Sequence, residues 1–531
     1  MKSRKLIPLY LGILTGLLSL ANGCKKVDDG LSSISWRINF DLVTTAWDIR
    51  FFDAATGLPI GANNDERVQV TITGADQKNI LDLAGIRQQT FFSTKGALAL
   101  ALHPDRPSPE AMTPVRFVIH ASHPSYLPIH FPVLTHQPGI GPFKIYLVPR
   151  NSYTPDIDQL SHTLSKDLVE GRLPDMLKLF TPANLASFQM DAGTELLTAD
   201  GTQLVGRPNL VFSHWEGGTT NGLKFLPGGQ LAMDTAGNPG QIYLAGSIYL
   251  DIVDRDSRLA ARVSQPIQCS MLISPSVYHP STKAGLVAGD RVPVWFMNSE
   301  SGIWESRETT TLDAFQNKLL ANVNLDKPGM YLIGWINKQL CPAPLILRPS
   351  TLNGYQEIPY AFNLSIFEVY GDALRFIRTA AINGLITRDD TLRYLPDDSE
   401  LVFRFESYAD EDRPYYKNPD PVLLSGFCES GSPVEFDLLP KPNGTFKKIE
   451  VVFIDTQHNN TRYYPNVFPG YYRKNGTDTW QSTFVYDGQA YMINPQEGDL
   501  YQMGINFKGR FHSKEVIVGA GEVVLVEIEI D

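Results

Sequence analysis

Five of the ten histidines crowd into one short stretch: His103, His120, His123, His130 and His136. Clustered neutral imidazoles are the usual ligands of zinc, copper or nickel. The local pattern argues for something plainer. His120 lies on an alternating strand-like run and shares a face with Val118, while His103 and His123 each precede a proline and belong in loops. No carboxylate stands at ligand spacing, so no metal site is expected. Asp251-Ile252-Val253-Asp254-Arg255-Asp256 and Asp410-Glu411-Asp412 offer oxygens to calcium, but both lack the glycine and distal glutamate of an EF-hand loop. Solvated hairpin turns explain them. The segment most suggestive of binding is Tyr463-Tyr464-Pro465-Asn466-Val467-Phe468-Pro469-Gly470-Tyr471-Tyr472. Two prolines and a glycine argue against a regular central strand. The rings of Tyr463, Tyr464, Phe468, Tyr471 and Tyr472 are then either held in a loop, where a sugar face or a peptide could stack on them, or used to cover the bottom of a sandwich. Tyr415-Tyr416 is a smaller echo.

Signatures of covalent or cofactor chemistry are missing from the sequence. There is no His-Glu-x-x-His, no Gly-x-Ser-x-Gly and no Ser-x-x-Lys in a plausible setting. Gly139-Ile140-Gly141 and Gly519-Ala520-Gly521 lack the third glycine and following helix of a dinucleotide loop. No cofactor is expected, and the chain reads as a non-enzyme. The competing expectation is a hydrolase whose site is assembled from distant loops, because paired carboxylates are defined by spatial separation rather than by spacing along the chain.

Behind Cys24, three cysteines remain: Cys269, Cys341 and Cys428. An odd number so widely spread is no disulfide framework. Cys269 sits in a strand-like run, as a buried thiol would. A Cys341–Cys428 bridge is compatible with an oxidising compartment and is left open.

The elements that must position these groups are strands. Of 531 residues, 19% are charged and 11% aromatic, which excludes long disordered acidic tails and supplies real cores. About 150 residues per domain gives three to four domains. The net charge of −11 excludes a nucleic-acid partner, which needs a basic footprint. No apolar run reaches the ~18–20 residues of a membrane-spanning helix. From Ile34 onward the dominant period is two. Strand-like runs cover Trp36–Val43, Val68–Thr73, Ala97–Leu102, Val115–Ala121, Lys144–Val148, Gln241–Val253 and Glu522–Ile530, separated by Gly, Pro, Asn and Asp. Ile157, Leu160, Leu164, Leu168 and Leu173 recur at three to five residues and predict a short helical linker over 151–179. Weaker helical runs fall near Thr311–Leu320 and Leu374–Ile382. The class is all-β: several antiparallel sandwiches in series, over 34–150, 180–350, 351–440 and 441–531. Pro440-Lys441-Pro442-Asn443-Gly444 marks the last boundary.

Two stretches carry family resemblances. Lys2, Arg4 and Lys5 precede an apolar run from Leu6 to Ala21, and Ala21-Asn22-Gly23-Cys24 closes it. This is the layout of an export signal over 1–23. It resembles a bacterial lipobox, with Ala21 where leucine commonly stands. Lys25-Lys26-Val27-Asp28-Asp29, within a tether over 24–33, resembles the surface-export tag of Bacteroidota-type lipoproteins. The resemblance implies acylation of Cys24 and anchoring in the outer membrane, facing the cell exterior. Two or more acyl chains hold firmly, since each buried CH₂ contributes about 0.8 kcal/mol. Cleavage would remove three positive charges, so the tether must come from lipid rather than charge.

In the first module, Asp53-Ala54-Ala55-Thr56-Gly57-Leu58-Pro59-Ile60, Val68-Gln69-Val70-Thr71-Ile72-Thr73-Gly74, Gly96-Ala97-Leu98-Ala99-Leu100 and Ser125-Tyr126-Leu127-Pro128 follow in order. This order resembles the carboxypeptidase regulatory-like domain, a prealbumin-like sandwich, with Ser125 in place of a glycine. In that family the domain is a non-catalytic accessory. Farther on, Gly289-Asp290-Arg291-Val292-Pro293-Val294 and Gly302-Ile303-Trp304 look like parts of modules found in extracellular cell-surface and matrix proteins, with the tryptophans filling the core. The expectation is a surface-anchored lipoprotein serving binding, adhesion or scaffolding. A carbohydrate-binding lipoprotein of a glycan-uptake system is the alternative. The partners are the membrane, through lipid, and a glycan or protein ligand.

Overall fold

The computed structural model describes residues 43–530 apart from 62–65, 235–237, 352–358, 386–389, 408–418, 439–445 and single or paired residues at 398, 457–458, 466, 478–479, 494, 508–509 and 522. The export signal, Cys24 and its tether, the Asp410–Asp412 run, Tyr415-Tyr416 and the Pro440–Gly444 boundary lie outside the described residues. The regular structure of the described residues is almost all strand, in mostly antiparallel sheets packed into sandwiches.

The first unit is two four-stranded sheets. One runs Ile80–Asp82, Ala97–Leu102, Thr45–Asp53, Gly139–Leu147, and the other Thr90–Phe92, Gln69–Thr73, Val115–Ser122, Ile129–Thr135. Gly139–Leu147 lies parallel to Thr45–Asp53, and all the other pairings are antiparallel. Trp47, Ile49 and Phe51 point between the sheets with Leu98, Leu100 and Leu102. Gly57 turns the chain at φ +70°, a conformation that costs a residue with a Cβ roughly 1 kcal/mol or more.

Both faces of the sheet containing Thr45–Asp53 are covered. In Ala97-Leu98-Ala99-Leu100-Ala101-Leu102 the leucines fill the core of the first unit, while Ala99 and Ala101 pack against the C-terminal unit. A strand buried on both sides loses the polar alternation of a half-buried one. Here small residues mark the face where a second sheet comes close.

The second unit pairs a five-stranded sheet with a seven-stranded one, whose long central strand Pro239–Val253 is buried throughout its interior. Between the sheets, Phe188 and Met271 of the five-stranded one meet Phe212 and Ile248 of the seven-stranded one, and Cys269 is a buried free thiol there, as expected. The outer face carries Val211, Trp215, Leu244 and Trp304. These pack with Leu127 and Val148 of the first unit and Phe367 and Phe376 of the third. Trp304 is a core residue, whereas Trp295 and Trp335 are half-buried, packed against the outer and inner clusters respectively.

The third unit combines a three-stranded and a four-stranded sheet around Leu347, Leu364 and Phe403. Cys341 and Cys428 are joined there in a disulfide, with their Cα atoms 5.2 Å apart. The last unit is an eight-stranded sheet, in which Val523–Ile530 lies parallel to Phe446–Asp455.

The expected helical linker over 151–179 is corrected. Ile157–Thr163 is a strand paired with Asn209–Glu216, and Leu177–Phe180 starts the five-stranded sheet. The amides of Leu164 and Leu168 donate to the carbonyls of Pro208 and Gly206, so this backbone joins a neighbour instead of closing helical rings. Left-handed residues at Asp156 and Glu170 bracket the stretch from Ile157 to Leu168. The weaker helical runs are also strands: 311–320 takes in the end of Ile303–Thr311, all of Asp313–Phe315 and the start of Lys318–Leu325, and 374–382 lies inside Ala373–Leu385. The helices of the described residues are one turn each, Thr220–Lys224 and Phe427–Ser430, with a 3-10 turn at Gln77–Asn79. None is long and apolar enough to cross a membrane.

Candidate functional site

The aromatic segment expected to form a stacking loop is interior. Val467–Lys474 is a strand between Gln481–Tyr486 and Leu500–Phe507, and Phe468, Tyr471 and Tyr472 are at most 2% exposed. Rings with no free face cannot stack on a sugar. Tyr463 is half-buried against the same core, and Tyr464 alone is well exposed, at 49%. Pro469 is tolerated because the strand pairs with Gln481–Tyr486 from Val467 onward but with Leu500–Phe507 only from Tyr471. Its missing amide falls on the unpaired side.

The acidic run Asp251–Asp256 is a structural turn. Asp251 takes an ion pair from Arg150 at 2.8 Å. Asp254 accepts from the amides of Val205, Asp256 and Arg258 and from the Arg258 guanidinium, and those donors hold its carboxyl below the usual range against the opposing effect of burial.

The five histidines separate into three settings. His103 and His123 accept amide hydrogens in their own turns, from Asp105 and Ser125. His120 and His130 face each other, Nδ1 to Nδ1 at 2.6 Å, on adjacent strands, with the Thr73 hydroxyl on His120 Nε2 at 2.5 Å. Burial, then the charge of His120, pushes His130 down to about 3. His136 meets the Tyr394 hydroxyl at 2.6 Å; burial and the neighbouring Arg393 charge push it down to about 4. It is a neutral acceptor near pH 7. Among the described residues the one grouping of three metal-type ligands is Cys341, Asp397 and Cys428, and two of these are the disulfide sulfurs.

His136 and Tyr394 lead to the feature that sequence reasoning missed. A cleft of about 480 Å³ opens where the units meet. The end of Ile129–Thr135 and the strand Gly139–Leu147 form one wall, and Ala373–Leu385 with Asp390–Tyr394 forms the opposite one. Lys224 and Gln230 come from the second unit and Tyr486 from the last. Its volume is that of an ordinary small-ligand site.

The walls are cross-tied. Gln137 donates to Asp390 at 2.8 Å and accepts from the Thr391 hydroxyl at 2.9 Å. Gln230 Oε1 accepts from both the amide and the hydroxyl of Thr379, at 2.6 and 3.1 Å. Tyr394 adopts φ +62°, a left-handed conformation that is a genuine outlier for a bulky residue. Strain of this kind costs about 1–3 kcal/mol and persists where surroundings impose it. Here it accompanies the bond from the tyrosine hydroxyl to His136.

Cations gather in the cleft: Lys144, Lys224, Arg378 and Arg393. Lys224 Nζ lies 4.8 Å from the ring centre of Tyr146. Burial, then the charge of Glu406, raises the Tyr146 phenol to about 12, so it stays neutral. Arg378 donates to the backbone carbonyl of Arg393. The Nε atoms of both arginines are buried with no hydrogen-bond partner among the described residues. Burial lowers Arg378 only to about 10, so it remains charged at neutral pH.

The signals for this site were present but dispersed. Pro138, Gly139, Gly141 and Pro142 all line it, and a Cβ at Gly141 would come within 2.9 Å of the core residue Trp47. Nothing in the order of residues says that Arg378 would sit opposite Gln137.

No family model matches the chain, and no curated protein matches it. Solved structures return low-scoring likenesses. A streptococcal ancillary pilin is 9% identical over 47% of this chain and 95% of its own, at a TM-score of 0.16. The TIE protein of Bacillus anthracis is 10% identical over 72% and 76%, at 0.15. The major pilin RrgB of Streptococcus pneumoniae is 7% identical over 92% and 100%, at 0.13. Scores this low carry no argument about function, which rests on the chain's own geometry.

Proposed function

We propose that this chain is a surface-anchored, non-catalytic lipoprotein whose interlocked sandwiches form a rigid body and whose junction cleft is its binding site. The observation that carries the binding reading is the cleft itself. Residues from all four units line it, its walls are tied by Gln137 and Gln230, and the buried Nε atoms of Arg378 and Arg393 are left without a partner among the described residues. Buried donors of that kind call for an explanation, such as a ligand. The lining hydroxyls of Thr379 and Thr391 donate to glutamine side chains rather than to a base, which is the chemistry of holding and not of turnover.

The lipid anchor rests on Ala21-Asn22-Gly23-Cys24 and the charged run after it. The accessory role of the first unit rests on its order of turns and strands. The experiment compares the full chain with Cys24→Ala in a lipoprotein-processing host. The unaltered chain should stay with the outer-membrane fraction, carry acyl mass on Cys24 and be cleaved by protease added to intact cells. Cys24→Ala should appear in soluble fractions. Membrane retention of Cys24→Ala without acyl mass would overturn the anchor.

A further inference from the structure

We infer that the junction cleft takes an acidic saccharide, a short oligosaccharide bearing uronate or sulfate groups. The inference rests on reading the cleft as the binding site. It begins with charge. The chain carries net −11, yet four cations converge here against two lining carboxylates, Glu406 and Asp390. Asp390 is already engaged by Gln137. Arg378 donates to the Arg393 carbonyl, and the buried Nε atom of each arginine has no hydrogen-bond partner among the described residues. A guanidinium matches the planar carboxylate and the sulfate oxygen pair, and is the residue type suited to both.

The shape of the walls argues for a sugar over a peptide. Extended peptides bind by adding a strand to an open sheet edge. Both walls are sheet edges, and both are blunted. Along Ala373–Leu385 the carbonyl of Ile377 accepts from Gln241 at 3.0 Å and the amide of Thr379 donates to Gln230. Across from it, Pro142 removes one amide from Gly139–Leu147. With these three edge positions unavailable, an uninterrupted strand cannot add, and recognition falls to side chains. These are amides and hydroxyls of the kind that pair with sugar hydroxyls, and the half-buried rings of Tyr146, Phe143 and Tyr486, on which an apolar sugar face can rest.

The test is calorimetry with the full chain and four probes of similar size: tri-galacturonate, its fully methyl-esterified form, a sulfated heparin tetrasaccharide and hexaglutamate. Lys224→Gln and Arg393→Gln serve as variants, with circular dichroism to check folding. At least one acidic saccharide should bind, the ester should bind roughly tenfold or more weakly than the free acid, and each variant should weaken acidic binding by about tenfold. Tyr464→Ala, outside the cleft, should leave affinity unchanged. Equal affinity for ester and acid overturns the inference while the binding-site reading stands, as does binding confined to hexaglutamate. Acidic binding unaltered in both folded variants moves the ligand out of the cleft and overturns both. Silence from all four probes overturns the inference; the cleft reading then falls too if neutral saccharides are equally silent.

Discussion

The hydroxyl of Tyr471 donates to the carboxylate of Asp48 at 2.6 Å, across 423 residues of sequence. Ser482 donates to the other carboxylate oxygen, and Arg50 beside it donates to the carbonyl of Trp480 at 3.0 Å. Asp48 is fully buried, and burial raises its carboxyl above the usual range despite Arg50 and the two hydroxyls. A buried carboxylate that loses a donor retains its desolvation penalty. We therefore expect Tyr471→Phe to destabilise the protein by about 1–3 kcal/mol, read as a lower urea midpoint. An unchanged midpoint would mean that the seam is not held through this bond.

The same seam depends on small side chains. Ala99 is 4% exposed and packs with the C-terminal unit. Ala99→Leu adds volume where two sheets already touch, and overpacking of this kind costs about 1–3 kcal/mol. Phe92→Ala, at a ring 48% exposed, should change stability by less than about 1 kcal/mol. Similar melting temperatures for the two variants would contradict the two-sided burial of Ala97–Leu102.

His214 is 1% exposed, and neither ring nitrogen has a hydrogen-bond partner among the described residues. Burial pushes it from 6.5 down to about 4, with Asp158 opposing and Lys318 assisting. Below pH 6.5 the unfolded chain takes up a proton that the folded chain refuses, so stability is full above that pH and declines toward pH 4. This one residue should account for about 2–3 kcal/mol of loss between pH 7.5 and 4.5. His214→Phe should remove that share, seen as a smaller gap between urea midpoints at the two pH values. An unaltered gap would mean that His214 does not titrate as its burial implies.

The Cys341–Cys428 bridge closes a separation of 87 residues around the third unit. Loop-closure entropy puts its contribution at up to about 4 kcal/mol. Reductant, or Cys341→Ala with Cys428→Ala, should lower the melting temperature. The unbridged forms should also migrate apart from the bridged one in non-reducing gels. Free thiols at both positions in protein from an oxidising compartment would refute the bridge.

Alternation was the legible part of this fold. Ala97–Leu102 was delimited to the residue, and Gln241–Val253 and Val115–Ala121 to within a few, because each strand shows its buried faces in its own sequence. The bend at Gly57 followed from backbone sterics. Expectations failed where neighbours decide. Leucines at 160, 164 and 168 keep helical spacing because turns intervene between paired stretches, and the Pro-Gly pair at 469–470 sits in a strand because one flank is unpaired there. The cleft was illegible for the same reason: its walls are contributed by segments more than two hundred residues apart. The polypeptide order does hold one hint, the alternating alanines of 97–101, which announce a close partner without naming it.

The seam between Arg50 and Trp480 has a bearing on biogenesis. Residues polymerised first wait for residues polymerised 430 positions later before their outer surface is complete. During synthesis the amino-terminal sandwich therefore carries an acid, a guanidinium and a row of alanines uncovered. A nascent chain halted before residue 471 presents that raw surface to whatever surrounds it. Quality control that recognises such surfaces would read a product of that kind as unfinished.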